Sequence, residues 1–334
     1  MKKRGVKRMY KLDKNERFSE MSINDKNELL SFLKHYHIEY RHKIGLNPDM
    51  TFGIEIECST SDKRIFHYKH RKYTNFLSDD EFTVGDNGLE FISPILHDDS
   101  KCWDEVRQTC EYVKSFAKNN EYCGGHIHFG THVFKDNYKY FMNLVLLWMA
   151  YEDIIYRFGN GEYLNTRVVS REYAPPVINT FKLYFADFGL PNNLEELLAF
   201  IKKQEQESGI NFYNYFLYYK KKRDYKNTIE VRCPNGTLEE VIWQNNINFF
   251  GKLVQAALND EIDLEKLYYY IMSNSYSDNR ILDEYGKIKL DKSLELADLI
   301  YDNNYDKLAF LKQYVKNGKS TSSKTLVKTT RFWE

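Results

Sequence analysis

The stretch Phe52-Gly-Ile-Glu-Ile-Glu57 decides the fold class of this chain. In an extended segment, successive side chains point to opposite faces. Phe52, Ile54 and Ile56 then share an apolar face, while Gly53, Glu55 and Glu57 share the other. Three further segments have the same two-faced character. In Leu89-Glu-Phe-Ile-Ser93, Glu90 opposes Leu89 and Phe91; in Gly125-His-Ile-His-Phe129, His126 and His128 oppose Ile127 and Phe129. In Asn227-Thr-Ile-Glu-Val-Arg232, Glu230 and Arg232 oppose Ile229 and Val231. For any one strand, a solvated face on which Glu and His meet water is the plain alternative. Four strands together point elsewhere, because Glu is depleted in strands and Gly53, Gly124 and Gly125 allow close approach of a ligand. Joined in one sheet, the four would gather four carboxylates, two imidazoles and a guanidinium on one surface. Carboxylates that close repel unless cations lie between them. An oxygen-rich set with an imidazole suits Mg2+ or Mn2+ better than structural zinc.

Outward from these strands the pattern is mostly helical. Residues 1–20 form a basic lead-in, and a helix is expected from about Ile23 to His42, capped by Ser22. A long apolar helix is expected from Tyr138 to Arg157. Residues 158–190, with Pro175-Pro176 and several glycines, suggest a long loop over a site. Asn193 to Glu207 is expected as a helix, while residues 210–222 are ambiguous. Thr237-Leu-Glu-Glu240 forms a capping box that would open a helix running to Leu258. Two or three helices should fill residues 261–316, followed by a mobile tail. The fold class is therefore α+β, an antiparallel sheet with helices on one side. Its division is a basic lead-in and helix over 1–48, a catalytic domain over 49–316, and a tail over 317–334.

Composition narrows the function. Lys+Arg and Asp+Glu both number 48, so no bulk positive charge favours nucleic acid as a partner. The five scattered cysteines contain no C-x-x-C pair, which fits reduced thiols in a cytoplasm. The basic N-terminus lacks the apolar core of a signal peptide, and Leu144 to Ala150 is too short to span a bilayer. A cytoplasmic protein without a membrane partner is expected.

The four strand segments, in this order, resemble the amidoligase family, a branch of the glutamine synthetase and glutamate–cysteine ligase group. The resemblance rests on Gly53-Ile-Glu-Ile-Glu57, Glu90-Phe-Ile-Ser-Pro94, Cys123-Gly-Gly-His-Ile-His128 and Thr228-Ile-Glu-Val-Arg232. It covers about residues 50 to 258. It implies a glutamine-synthetase-like catalytic fold, a curved antiparallel sheet with helices on its convex side, holding ATP and divalent cations. Glu55, Glu57, Glu90, His126 and Glu230 match metal-binding positions of the family. One acid of Asp79-Asp80-Glu81 should add a ligand, and Asp80 is our choice. His128 matches a residue near the nucleotide phosphates, and Arg232 one that contacts the transferred phosphoryl or the carboxylate. Arg167 resembles a substrate-side arginine, with Arg171 as the fallback.

The implied reaction is an ATP- and Mg2+-dependent joining of a carboxylate to an amine through an acyl phosphate. Its partners are a small-molecule or peptide carboxylate and an amine. No nucleophile elbow and no G-x-x-x-x-G-K-[ST] loop is present, so neither a covalent protein nucleophile nor a P-loop is expected. Two rival readings remain. A metal-dependent hydrolase or oxygenase could use His126 and His128 with His132 and a glutamate. A non-catalytic binding module could retain the fold alone.

Overall fold

A computed structural model describes residues 10–61, 73–160, 173–202, 207–221, 225–274 and 284–316. Arg167, Arg171 and the tail over 317–334 lie outside the described residues.

Mixed helix and antiparallel sheet make up the architecture. The chain enters through α1 (Ile23–His35), then β1 (Phe52–Thr60), β2 (Leu77–Asp80) and β3 (Gly88–Ile92). It continues with α2 (Ser100–Lys114), β4 (Ala117–Lys118), β5 (Gly125–Gly130) and the long α3 (Tyr138–Asn160). After α4 (Ile178–Phe188) and α5 (Leu194–Ile201) come β6 (Ile210–Asn211), α6 (Tyr213–Lys221) and β7 (Thr228–Val231). Helices α7 (Glu240–Ala257), α8 (Leu264–Ser273), α9 (Leu290–Ile300) and α10 (Asn304–Lys316) complete it. Among the described residues the sheet is open, with order β2-β3-β1-β5-β7-β6 and β4 on the end of β1. Every pairing is antiparallel.

One face of the sheet faces the core. Phe52, Ile54, Ile56, Leu89, Phe91, Ile127, Phe129, Ile229 and Val231 are all buried there. Trp103 of α2 stacks on Phe52 with ring centroids 5.3 Å apart. On α7, Gly251 brings the helix backbone against Phe129 and Leu46, where an added Cβ would lie 3.5 Å and 2.8 Å from their side chains. Helix α3 is buried on nearly all sides, since it packs against α7, α8 and α10. That accounts for the apolar run that marks it in the sequence. No helix among the described residues is long and apolar enough to cross a membrane. The five cysteines, all among the described residues, are thiols and not disulfides.

Several elements depart from expectation, each for a tertiary reason. Ser22 caps α1 as expected, but the helix ends at His35 rather than His42. Beyond it, the Tyr40 hydroxyl bonds to the Trp103 carbonyl and Arg41 pairs with Asp306, so the chain is drawn out between two helices. The lead-in is anchored at two points: Tyr10 and Phe18 are buried, and Asp298 of α9 accepts from the Phe18 and Ser19 amides. Part of the loop expected over 158–190 is the helix α4. The Pro175-Pro176 pair delays its start, and the buried Glu152 carboxylate of α3 accepts from the Val177 and Ile178 amides at 2.7 and 3.2 Å. A distant acid thus does the work of a local cap. The capping box at Thr237 does not close; α7 starts at Glu240, whose carboxylate is paired with Lys114 at 3.0 Å.

Candidate active site

Strand register assembles the site on the sheet face opposite the core. Directly paired residues of antiparallel strands point to the same side. Glu57 lies opposite Glu90, Glu55 opposite His126, and Gly53 opposite His128. His128 in turn lies opposite Glu230, and Glu230 opposite Asn211. Seven side chains from five strands therefore meet on one surface, each placed there by the register of its own strand. Glu55, Glu57, His126, His128 and Glu230 are buried, and Glu90 is half-buried.

The contacts are dense. Glu55 joins both rings: His126 Nδ1–H donates to its Oε2 at 3.1 Å and His128 Nε2–H to its Oε1 at 2.9 Å. Lys226 Nζ reaches the same Oε1 at 3.1 Å. Glu57 Oε2 accepts from the Gly124 amide at 2.5 Å, and its Oε1 lies 3.4 Å from His126 Nε2. Arg232 donates to Glu230 Oε1 at 2.5 Å and through Nε to the Tyr173 carbonyl at 3.1 Å. Asn211 Nδ2 donates to the other Glu230 oxygen at 3.2 Å.

Electrostatics follow from this packing. Burial works against ionisation of Glu55, but the hydrogen bonds from His126 and His128 outweigh it and hold its carboxyl well below the usual range. Burial likewise opposes charge on Glu230, where Arg232, then His128 and His126, prevail and lower its pKa. Burial and the Arg232 charge disfavour protonated His126, yet the bond to Glu55 and the charges of Glu57 and Glu230 leave its pKa raised. At Glu90 the charge of His126 is not enough. Burial, then the charge of Glu55, pushes its carboxyl up to about 8.

The donor set fits hard divalent cations. Three groups of ligand atoms each lie within 4.8 Å of one another: Glu57 with Glu81 and Glu90, Glu55 with Glu90 and His126, and Glu55 with His128 and Glu230. The first is all carboxylate, and the charges of Glu57 and Glu81 add to the burial and the Glu55 charge that raise Glu90. Carboxylates with at most one imidazole suit Mg2+ or Mn2+.

Of the residues singled out in the sequence, the fold brings together Glu55, Glu57, Glu90, His126, His128, Glu230 and Arg232. Asp80 is placed differently. It lies opposite Leu89, on the parity of the core-facing row, and is exposed at the edge strand. Its neighbour Glu81 joins Glu57 and Glu90 instead, with its amide bonded to the Gly88 carbonyl and its carboxylate capping the Thr83 amide at 2.8 Å. His132 stands apart from the two imidazoles, its Nε2 bonded to the Asp49 carbonyl at 2.6 Å. Lys226 and Asn211 went unnoticed in the sequence. For Lys226 a signal existed, since positions 226, 228, 230 and 232 alternate onto one face.

At the Lys226 end the face opens into a cavity of about 330 Å³, lined by Gly53, Glu55, Ser93, Pro94, His128 and Lys226 among others. A second cavity, of about 610 Å³, adjoins it at Thr51 and His132.

A family model described as "putative amidoligase enzyme" matches residues 60–254, more than half of the chain. The chain belongs to this amidoligase family. The matched segment starts at the last residue of β1, so Glu55 and Glu57 precede it. Pairing of β1 with β3 and β5 ties them to the family segment. No curated protein matches the chain.

Proposed function

We propose that this amidoligase-family chain is an ATP-dependent carboxylate–amine ligase using Mg2+ or Mn2+ on a glutamine-synthetase-like catalytic fold. The carrying observation is the row of ligand groups from Glu81 through Glu57, Glu90 and Glu55 to Glu230, with the Arg232 guanidinium bonded to Glu230 and a cavity bearing Lys226 beside Glu55.

Glu57, Glu81 and Glu90 would hold one cation, and Glu55 would hold a second, with Glu90 and His126 or with His128 and Glu230. Bound cations neutralise phosphate charge that otherwise repels an incoming carboxylate. The nucleotide enters from the cavity, with His128 beside its phosphates. Arg232, steadied by Glu230 and the Tyr173 carbonyl, presents its fork to the transferred phosphoryl group. The acid's carboxylate oxygen attacks the terminal phosphorus, ADP leaves, and an acyl phosphate results. An amine then attacks the acyl carbon and phosphate departs, leaving an amide, ADP, phosphate and a proton. No side chain has to act as a covalent nucleophile. The substrates are a small-molecule or peptide carboxylate and an amine.

Two measurements test this reading. Thermal unfolding with Mg2+, ATP and both should show a joint stabilisation of about 2–3 kcal/mol near a hundredfold excess over Kd, lost in Glu57→Ala. Phosphate release from ATP across a panel of acids and amines should require both partners. Stabilisation by zinc or iron with no effect of ATP and Mg2+ would sink the ligase.

A further inference from the structure

We infer that Lys226 is a nucleotide-phosphate-binding residue that also competes with the second divalent cation for Glu55. The inference rests on the ligase reading and deepens it at the cavity end of the site.

Lys226 stands two residues before β7, on the same alternation as Thr228 and Glu230. Its side chain is 56% exposed, yet its ammonium is turned inward, 3.1 Å from Glu55 Oε1. That same oxygen already receives His128 Nε2–H at 2.9 Å. An exposed lysine on a long stem keeps such a contact only weakly, because solvent screens it and holding the stem costs rotamer entropy. A divalent cation at Glu55 replaces one positive charge with two and repels the ammonium. The nearest place for it to go is the cavity that Lys226 itself lines with Gly53, Ser93, Pro94 and His128. A polyphosphate extending from that cavity toward the carboxylates passes between Lys226 and His128. One side of the phosphate chain then meets the cations and the other meets the ammonium. Lys226 is therefore cationic support for the nucleotide phosphates, in a position that the cation itself makes available.

Two consequences separate this role from a merely structural one. Removing the ammonium weakens nucleotide and strengthens the bare cation, whereas loss of a structural pair would weaken both. The effect also requires phosphate, so a nucleoside without phosphates is indifferent to it.

The test measures equilibrium binding of ATP and ADP with Mg2+, of adenosine, and of Mn2+ alone, to wild type, Lys226→Met and Lys226→Arg. In Lys226→Met, ATP and ADP affinities should fall about tenfold, the scale of one lost charge-assisted contact. Mn2+ affinity should rise about threefold, as the competing charge is gone. Adenosine should be unchanged, and Lys226→Arg should stay within about threefold of wild type for ATP. Because the side chain is exposed, ligand-free thermal unfolding of the variants should match wild type. ATP affinity unchanged in Lys226→Met, while wild type binds ATP, would overturn the inference and leave the ligase reading standing. A fall in Mn2+ affinity equal to that in ATP would overturn it as well, since Lys226 would then only hold Glu55 in place. If wild type binds neither ATP nor ADP with Mg2+, both readings fall together.

Discussion

Replacing Glu90 with glutamine probes the charge stored on the acidic face. Carboxylate oxygens of Glu57, Glu81 and Glu90 lie within 4.8 Å of one another. Two full charges at that separation repel by about 3 kcal/mol at an effective dielectric of about 20. Burial first, then the charge of Glu55 and to a smaller extent those of Glu57 and Glu81, push the Glu90 carboxyl up to about 8 from its ordinary 4.5. A carboxyl raised in this way keeps its proton in the folded protein while the unfolded chain releases it. Its contribution to stability is fully present below pH 4.5 and is lost as pH rises through about 8. At about 1.4 kcal/mol per pKa unit, the loss for a fully buried group would approach 5 kcal/mol. Glu90 is only half-buried, so screening reduces the expected figure to about 2 kcal/mol. Glutamine occupies the same volume and does not titrate. In the presence of a chelator, urea unfolding of wild type should therefore lose about 2 kcal/mol more than Glu90→Gln between about pH 5 and about pH 9. With Mn2+ at the upper pH the order should reverse, because the ionised wild-type carboxylate gains a cation that the amide binds poorly. Parallel stability–pH curves for the two proteins in chelator would refute the reasoning, and would mean that the acids are too well solvated to sense one another.

Three further predictions address the scaffold. Glu152, which is wholly buried, accepts from Trp148 Nε1, the Val177 and Ile178 amides and the Tyr285 hydroxyl. Glu152→Ala leaves those donors stranded and should cost about 3 kcal/mol or more in urea unfolding; a cost near zero would show that water replaces the carboxylate. Gly209→Ala drives a methyl group into the Tyr156 ring, and the Gly209 carbonyl accepts from the Arg232 amide at 2.9 Å. We expect about 1–3 kcal/mol of destabilisation together with slower ATP-dependent phosphate release, the latter absent if Arg232 does not need this anchor. Asp98 gathers the amides of Ile44, Gly45 and Leu46 and the Trp103 indole. Asp98→Ala should lower stability by about 2 kcal/mol while Mn2+ affinity, measured by titration calorimetry, stays within about twofold of wild type.

What was hidden in the sequence was hidden for identifiable reasons. Helix α4 carries no local start signal because its first amides are satisfied by Glu152, which lies more than twenty residues upstream. The Thr237 box looked complete, but Lys114 of α2 holds Glu240 instead. Among the three acids at 79–81, the choice depends on parity against β3. Asp79 lies opposite Glu90 and Asp80 opposite Leu89, so Glu81 returns to the Glu90 side. Nothing within that short run of acids reveals its parity.

The two faces of each strand were legible from the residues alone. Alternation is a property of the extended backbone, and it held for Glu55, Glu57, Glu90, His126, His128 and Glu230 without reference to any other segment. The apolar halves of the same strands likewise announced a core on the other side. Only the tertiary structure decided that Glu57 meets Glu90, that Glu55 meets His126, and that Lys226 reaches back to Glu55 across the sheet. Strand order and register are set by pairings between residues up to about 100 positions apart, and a shift of one residue would turn a strand's carboxylates into the core. The chemistry of each side chain is local, whereas the spacing that turns several acids into one site is a property of the assembled sheet.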